Sequence, residues 1–348
     1  MTDLSRRHDI DWLRVITIAL LLIYHVAISF QSWGLMIGFI TNKESWGNLW
    51  IPMSALNVWR IPLLFFVSGM GVYFALQKRN WKQLMGERTK RILLPFIFGM
   101  LIIVPVHLLL LQHYYSWPIR YKPGPSHLWF LGNIFIYTLV LLPLFMFLKR
   151  NKESKLAHIL RKVIGYPLGL LIVMLFFVIE AVLVAPYPFE MYAMTIHGFI
   201  LGLLAFCFGF LFMYTGKPFW DMLLKWRWIF IVGALVLYFY RLSEGLIGIP
   251  HYLMSIESCL WIFTVFAFGY RHLNFSNSTL RYLSQGAYPI YIVHMICIYA
   301  ACYVILPLNL DVRLKFFIVL GMTFFGSFGI YELLIRRIKF IRPLFGMK

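Results

Sequence analysis

Arg14 and His25 stand in the first apolar run of the chain, and the ten residues between them, Val15 to Tyr24, carry no charge. A charged or titratable group inside a membrane helix is costly and therefore a functional candidate. At about 100° and 1.5 Å per residue, eleven steps return to nearly the same helix face and advance roughly 16 Å along the axis. One face of one helix would hold a fixed cation near one membrane surface and an imidazole near or past the midplane. Such a face could grip one end of a long ligand and do chemistry at the other. The plainer reading is a snorkelling interface anchor at Arg14 and a hydrogen-bonded interior side chain at His25.

Elements that could position these groups recur along the whole chain. Of 348 residues, 61% are hydrophobic, 19% aromatic and 13% charged, and the mean hydropathy is +0.78. Ten runs reach the roughly 20 residues that cross a bilayer core, at about 10–34, 55–77, 91–113, 127–148, 166–186, 193–214, 227–243, 252–271, 286–306 and 315–335. The fold class expected is all-α, a polytopic integral membrane protein of about ten transmembrane helices. It would form one membrane domain over residues 1–348, with no appended soluble domain and no cleavable signal peptide.

A net charge of +19 raises the question of nucleic acid, and its distribution answers it. With the loops assigned alternately from a cytoplasmic N-terminus, the cytoplasmic stretches hold 24 Lys and Arg and the outer stretches 6. That is a positive-inside pattern. It predicts both termini in the cytoplasm, location in the cell (inner) membrane, and contact with membrane lipids rather than nucleic acid. The cysteines, Cys207, Cys259, Cys297 and Cys302, all fall in apolar runs without metal-ligand spacing and read as buried thiols. No metal constellation is expected.

Two polar clusters follow from this orientation. Toward the cytoplasm, Arg88 and Arg91 open the third run three residues apart, on one face if the helix reaches them. With Arg14 they form a set of guanidinium groups suited to phosphate, which they bind by two parallel hydrogen bonds. Ordinary positive-inside anchoring is the alternative. Deeper or further out lie His25, Glu180, Glu257 and His127. A carboxylate such as Glu180 beside His25 would strengthen the imidazole as a base and hold its tautomer. Glu180 or Glu257 could instead make a structural hydrogen bond between helices. Glu257 and His127 are assigned to the acceptor side. Ser68, in Phe65-Phe-Val-Ser-Gly69, and His294, in Tyr288-Pro-Ile-Tyr-Ile-Val-His294, are assigned to a donor channel, with simple packing as the alternative for His294. Close packing of small residues explains the Ser68-Gly69 step as well. His107, His113 and His197 read as structural or interfacial.

Several of these segments together resemble the membrane-bound acyltransferase type 3 family. Asp11-Trp-Leu-Arg14 with His25 is similar to its opening motif, and Phe65-Phe-Val-Ser-Gly69 to its second-span signature. Arg88-x-x-Arg91 before Leu-Leu-Pro95, His127-Leu-Trp-Phe-Leu131 and Tyr288 to His294 resemble three later signatures in similar order. The resemblance implies a ten-helix O-acyltransferase that moves an acetyl or succinyl group from acyl-CoA to a hydroxyl of an extracytoplasmic carbohydrate or lipid-linked glycan. It implies that Arg14 helps bind acetyl-CoA or succinyl-CoA and that His25 is catalytic. The length of 348 residues leads to the expectation of a single-domain member, similar to glucan succinyltransferases and polysaccharide O-acetyltransferases. Residues 150–280 carry none of these motifs, so acceptor choice is expected there. The rival class is a polysaccharide or lipid transporter, with Arg, His and Glu forming a translocation path.

Charge alone predicts sidedness. After replacement of the four native cysteines, a cysteine at Ser154 should react with a membrane-impermeant maleimide only from the cytoplasmic face, and one at Lys43 only from the outer face. The reverse labelling would overturn the orientation.

Overall fold

The computed structural model describes residues 7–246 and 248–347; Arg6 and Lys348, two of the basic residues counted above, lie outside them. The described residues are helical, with turns and loops and no strand. Among the described residues ten helices are long and apolar enough to cross a membrane: α1 (His8–Ile28), α2 (Gly47–Lys78), α3 (Trp81–Tyr114), α4 (Ser126–Arg150), α6 (Pro167–Val184), α7 (Ile196–Thr215), α8 (Lys217–Ser243), α9 (His251–His272), α10 (Ser278–Ile305) and α11 (Val312–Ile335). A short amphipathic helix, α5 (Lys155–Ile164), is capped by the Ser154 hydroxyl, which accepts from the Ala157 amide. The protein is therefore an all-α, multi-pass membrane protein. Side chains such as Leu183 and Phe325 stand well exposed on its surface, as lipid-facing positions require.

The ten spans agree with the apolar runs in number and order, and their ends differ for local reasons. The first ends at Ile28 rather than near residue 34. Beyond it the chain folds back on itself: the Asn42 amide donates to the Ser29 carbonyl at 2.8 Å and the Trp46 amide to the Phe30 carbonyl at 2.9 Å. The seventh run begins at Lys217, ten residues before the apolar stretch at 227, because polar residues such as Asp221 and Lys225 continue the helix. In α3, π-turns at Thr89–Leu93 and Gly99–Ile103 adjoin Pro95 and Pro105, each of which lacks an amide proton for the ladder.

Contacts divide the chain into two compact units. The first comprises Met1–Arg14, Ala55–Gly86 and Asn133–Leu280. Within it α8 pairs with α9, α9 packs on α6, α6 on α7, and α5 on both α6 and α7. A Cβ at Gly69 would lie 2.0 Å from the Phe206 carbonyl oxygen, and one at Gly209 2.0 Å from that of Phe66. The Ser68-Gly69 step therefore serves close approach of α2 to α7, while the Ser68 hydroxyl donates to the Leu64 carbonyl at 2.8 Å. Phe66 stacks on Phe212 and Phe177 in the surrounding aromatic core.

This unit also encloses charge. Arg241 is fully buried; its Nε and Nη2 donate to both oxygens of Glu257 at 2.8 and 2.9 Å, and its Nη1 to Glu190 at 3.3 Å. Burial pushes the Glu190 carboxyl above its ordinary value, against the pull of the Arg241 guanidinium. Nearby in the chain, Glu180 Oε1 and His197 Nδ1 share a hydrogen bond of 2.8 Å, both side chains being buried.

The second unit comprises Val15–Ser54, Glu87–Gly132 and Arg281–Lys348. Buried Lys315 on α11 donates to the Leu306 carbonyl at 2.8 Å and to Asn42 Oδ1 at 3.2 Å, which ties down the loop after α1. The turn Arg342–Phe345 packs on α3, with Phe345 edge-on to Phe98.

Removing one partner of a buried ion pair strands a charge, at a cost of about 3–5 kcal/mol. Glu257→Leu should lower the thermal midpoint in detergent clearly, and the double change Arg241→Met with Glu257→Leu should recover most of the loss. Equal midpoints for the single variant and the wild type would show that the pair contributes nothing.

Candidate active site

The second unit gathers four histidines from four helices. His25 lies in the last turn of α1, His294 near the middle of α10, His127 in the first turn of α4, and His107 in α3. His294 and His107 are fully buried, and His25 is half-buried. Their rings form a continuous group: His25 to His294 at 5.1 Å and nearly parallel, His294 to His127 at 5.2 Å and perpendicular, His127 to His107 at 5.5 Å.

Backbone carbonyls fix this arrangement. The second lone pair of a helical carbonyl remains able to accept a side-chain proton. Tyr291 and Ile292 on α10 use theirs in this way. His294 Nδ1 lies 2.6 Å from the Tyr291 oxygen, and His127 Nε2 lies 3.1 Å from the Ile292 oxygen. In return the Tyr291 hydroxyl donates to the His127 carbonyl. The start of α4 and the middle of α10 are thus clamped reciprocally. The clamp is seated by Gly99: a Cβ there would lie 2.3 Å from Leu128 Cδ1.

A carbonyl only accepts, so His294 must carry its proton on Nδ1. In neutral His294, Nε2 is then an acceptor. It lies 2.8 Å from His25 Nδ1, which must therefore be the donor. The relay reads Tyr291 carbonyl, His294, His25, and it leaves the basic lone pair of neutral His25 on Nε2. This is the tautomer a general base needs, set by another imidazole. The same logic puts the His127 proton on Nε2, with its buried Nδ1 making no hydrogen bond.

The other sequence candidates lie as follows. Glu180, expected to orient His25, is bonded to His197. Glu257, expected to meet the acceptor, has both oxygens held by Arg241, and Trp261 Nε1 donates to it as well at 3.3 Å. Ser68, expected beside the donor, donates to its own helix. His294, placed with the donor, is the partner of His25, and His127, placed with the acceptor, stacks edge-on against His294. Arg14, in the first unit, pairs with Asp11 at 3.2 Å and is partly exposed. Arg91 pairs with Glu87 at 3.3 Å and is also partly exposed, and Arg88 and Arg91 both lie within electrostatic reach of Tyr288. The π-turn at Thr89–Leu93 runs through this pair, so their relative direction is not that of a regular helix. Arg241, read only as an outer-loop cation, and His197 and His107, read as structural, join buried networks. An unmatched charge inside a span signals a partner in another span, which points from Glu257 to Arg241. Among the described residues no group of three or more His, Cys, Asp and Glu is arranged to hold a metal ion.

Residues 7–332 match the family model described as acyltransferase domain. The chain belongs to this acyltransferase family. Similar proteins include glucans biosynthesis protein C of Escherichia coli (strain K12), 24% identical over 327 residues, which covers 83% of this chain and 81% of that protein. The protein of the same name from Escherichia coli O157:H7 is 23% identical over the same coverage. No solved structure matches. The protein is thus a membrane acyltransferase, and family membership weighs against the transporter alternative.

The relay yields a graded test. His294→Leu removes the acceptor for His25 Nδ1–H and should lower the rate constant of acyl transfer about 10- to 100-fold, with the donor KM little changed. His294→Gln, whose amide oxygen falls close to the position of Nε2, should retain more activity than His294→Leu. Equal loss in both variants, or none in either, would separate His294 from the setting of His25.

Proposed function

We propose that this enzyme moves an acetyl or succinyl group from acyl-CoA to a hydroxyl of an extracytoplasmic carbohydrate or lipid-linked glycan, with His25 as general base. The observation that carries the reading is the relay that presents His25 Nε2 as the basic atom. Residues 1–348 act on this reading as one acyltransferase domain in the cell inner membrane. The relatives named for glucan biosynthesis support a glucan-type acceptor.

In the proposed reaction, the acceptor hydroxyl gives its proton to His25 Nε2 as its oxygen attacks the thioester carbonyl. The resulting oxyanion collapses, the carbon–sulfur bond breaks, and the coenzyme A thiolate takes up the proton held by His25, which regenerates the base. His294 holds the tautomer of His25, and His127 supports His294. The anionic groups of the donor are assigned to Arg14, and to Arg88 and Arg91, by their charge and by the charge bias of their loops. Eleven residues separate Arg14 from His25, a rise of about 16 Å at helical spacing, which the pantetheine arm can follow. With the basic loops in the cytoplasm, the donor arrives from inside and the acceptor from outside.

Purified protein in nanodiscs, given radiolabelled acetyl- or succinyl-CoA and glucan oligosaccharides, should produce acylated glycan. A base acts in the transition state and adds little to ground-state affinity. His25→Ala should therefore lose about 10²–10⁴-fold in transfer rate while binding the donor almost as tightly as wild type. Near-normal transfer by this variant would remove His25 from the mechanism.

A further inference from the structure

We propose that a tyrosine-lined cavity in the second unit is the acceptor subsite and that it holds a glucan through its sugar rings. The proposal rests on the acyl-transfer reading above, because it assigns an acceptor to the same histidine. The cavity measures about 720 Å³, within the range of small-ligand sites. Ser32, Thr41, Lys43, Tyr114, Tyr115 and Tyr303 line it.

The three tyrosines make a rigid aromatic corner. Tyr114 meets Tyr115 at 5.0 Å and 81°, and meets Tyr303 at 5.8 Å and 69°. Each flank is pinned. The Thr41 amide donates to the Tyr115 hydroxyl at 3.0 Å, Trp117 stacks on the Tyr115 ring at 5.3 Å, and the Tyr303 hydroxyl lies 2.8 Å from His113 Nδ1. A fixed ring offers a flat apolar face at little entropic cost. A pyranose has the complementary form: C–H bonds on its faces and hydroxyls around its rim. The rim would meet the hydroxyls of Ser32 and Thr41 and the ammonium of Lys43. The lining argues against the donor, since among the described lining residues Lys43 is the one cation, too little for the phosphates of coenzyme A.

Two chain segments lead from this cavity to the histidines. Phe39, two residues before Thr41, lies 5.8 Å from the His25 ring and 5.9 Å from that of Tyr299. Tyr299, one helical turn before Tyr303, lies 4.9 Å from His107, and its hydroxyl donates to the Gly38 carbonyl. A glucan held at the tyrosine corner thus lies beside the segments that wall the His25 site. The loops that form the cavity are those that the charge bias assigns to the outer face, where such an acceptor is found.

The test uses the full-length protein in nanodiscs, with laminarihexaose, cellohexaose, maltohexaose and sophorose as probes spanning four glucose linkages. Saturation-transfer NMR and calorimetry should detect binding of at least one probe to wild type. Tyr114→Ala should weaken it about tenfold, the loss expected for one stacking face. Tyr114→Phe, which keeps the ring, should bind like wild type, and thermal unfolding would confirm that both variants are folded. In the transfer assay Tyr114→Ala should raise the acceptor KM. Binding of no probe by wild type, or wild-type affinity in folded Tyr114→Ala, would overturn the subsite. Sugar binding that depends on Tyr114, with no turnover of acyl-CoA, would instead keep the subsite and defeat the acyl-transfer reading.

Discussion

Inside a bilayer there is no water to satisfy a buried polar group, so each one must be answered by the protein itself. The Arg241 network of the first unit and the histidine cluster of the second meet that constraint in different ways. In the first unit, formal charges neutralise one another: Arg241 takes both oxygens of Glu257 and reaches Glu190. In the second unit, imidazoles are satisfied by the spare lone pairs of α10 carbonyls and by each other. The ionic arrangement is costly to disturb and suits architecture. The imidazole arrangement can accept a proton without breaking a salt bridge, which suits catalysis.

The same constraint explains which parts of the structure were legible in the sequence. Ten spans could be counted because each needs about twenty apolar residues. Their ends could not, because polar residues continue a helix wherever the ladder has no competitor, as at Asp221 and Lys225 in α8. His25 was legible because an imidazole eleven residues from an arginine, with no charge between, stands out in an apolar run. Its partner was not. Sequence supplies residue types and helical phase within one span, whereas the neighbour of His25 comes from α10, some 270 residues away. The expectation of a carboxylate partner followed from the usual company of catalytic histidines. The carboxylates had other obligations, Glu180 to His197 and Glu257 to Arg241.

The histidine cluster also shows how little the helical backbone must give up to build a site. No helix is broken at Tyr291 or Ile292, and their carbonyls still belong to a regular ladder. Only the second lone pair of each is used. That economy ties the site to rigid helix rather than to loop, and the exchange between His127 and Tyr291 locks α4 to α10 at the same height. The cavity proposed for the acceptor is made differently. It is walled by helix ends and by the loop after α1, where side chains can vary without disturbing the ladder. Chemistry placed on helices and recognition placed on loops would let one scaffold serve different acceptors.

A histidine partner for His25 has a consequence that a carboxylate would not. A carboxylate beside the base adds a negative charge that favours the imidazolium at every stage, including the resting enzyme. A neutral imidazole adds no such field. On the proposed mechanism, positive charge would arise on His25 as it takes the acceptor proton, and it would spread through the 2.8 Å hydrogen bond toward His294 and the Tyr291 carbonyl. At that moment the thioester carbonyl would carry the developing oxyanion. The opposite charges would then appear together in the transition state, which is where stabilisation lowers a barrier rather than merely tightening binding. Where burial lowers the local dielectric, as at His294, that pairing would gain strength from the same effect that penalises a lone charge.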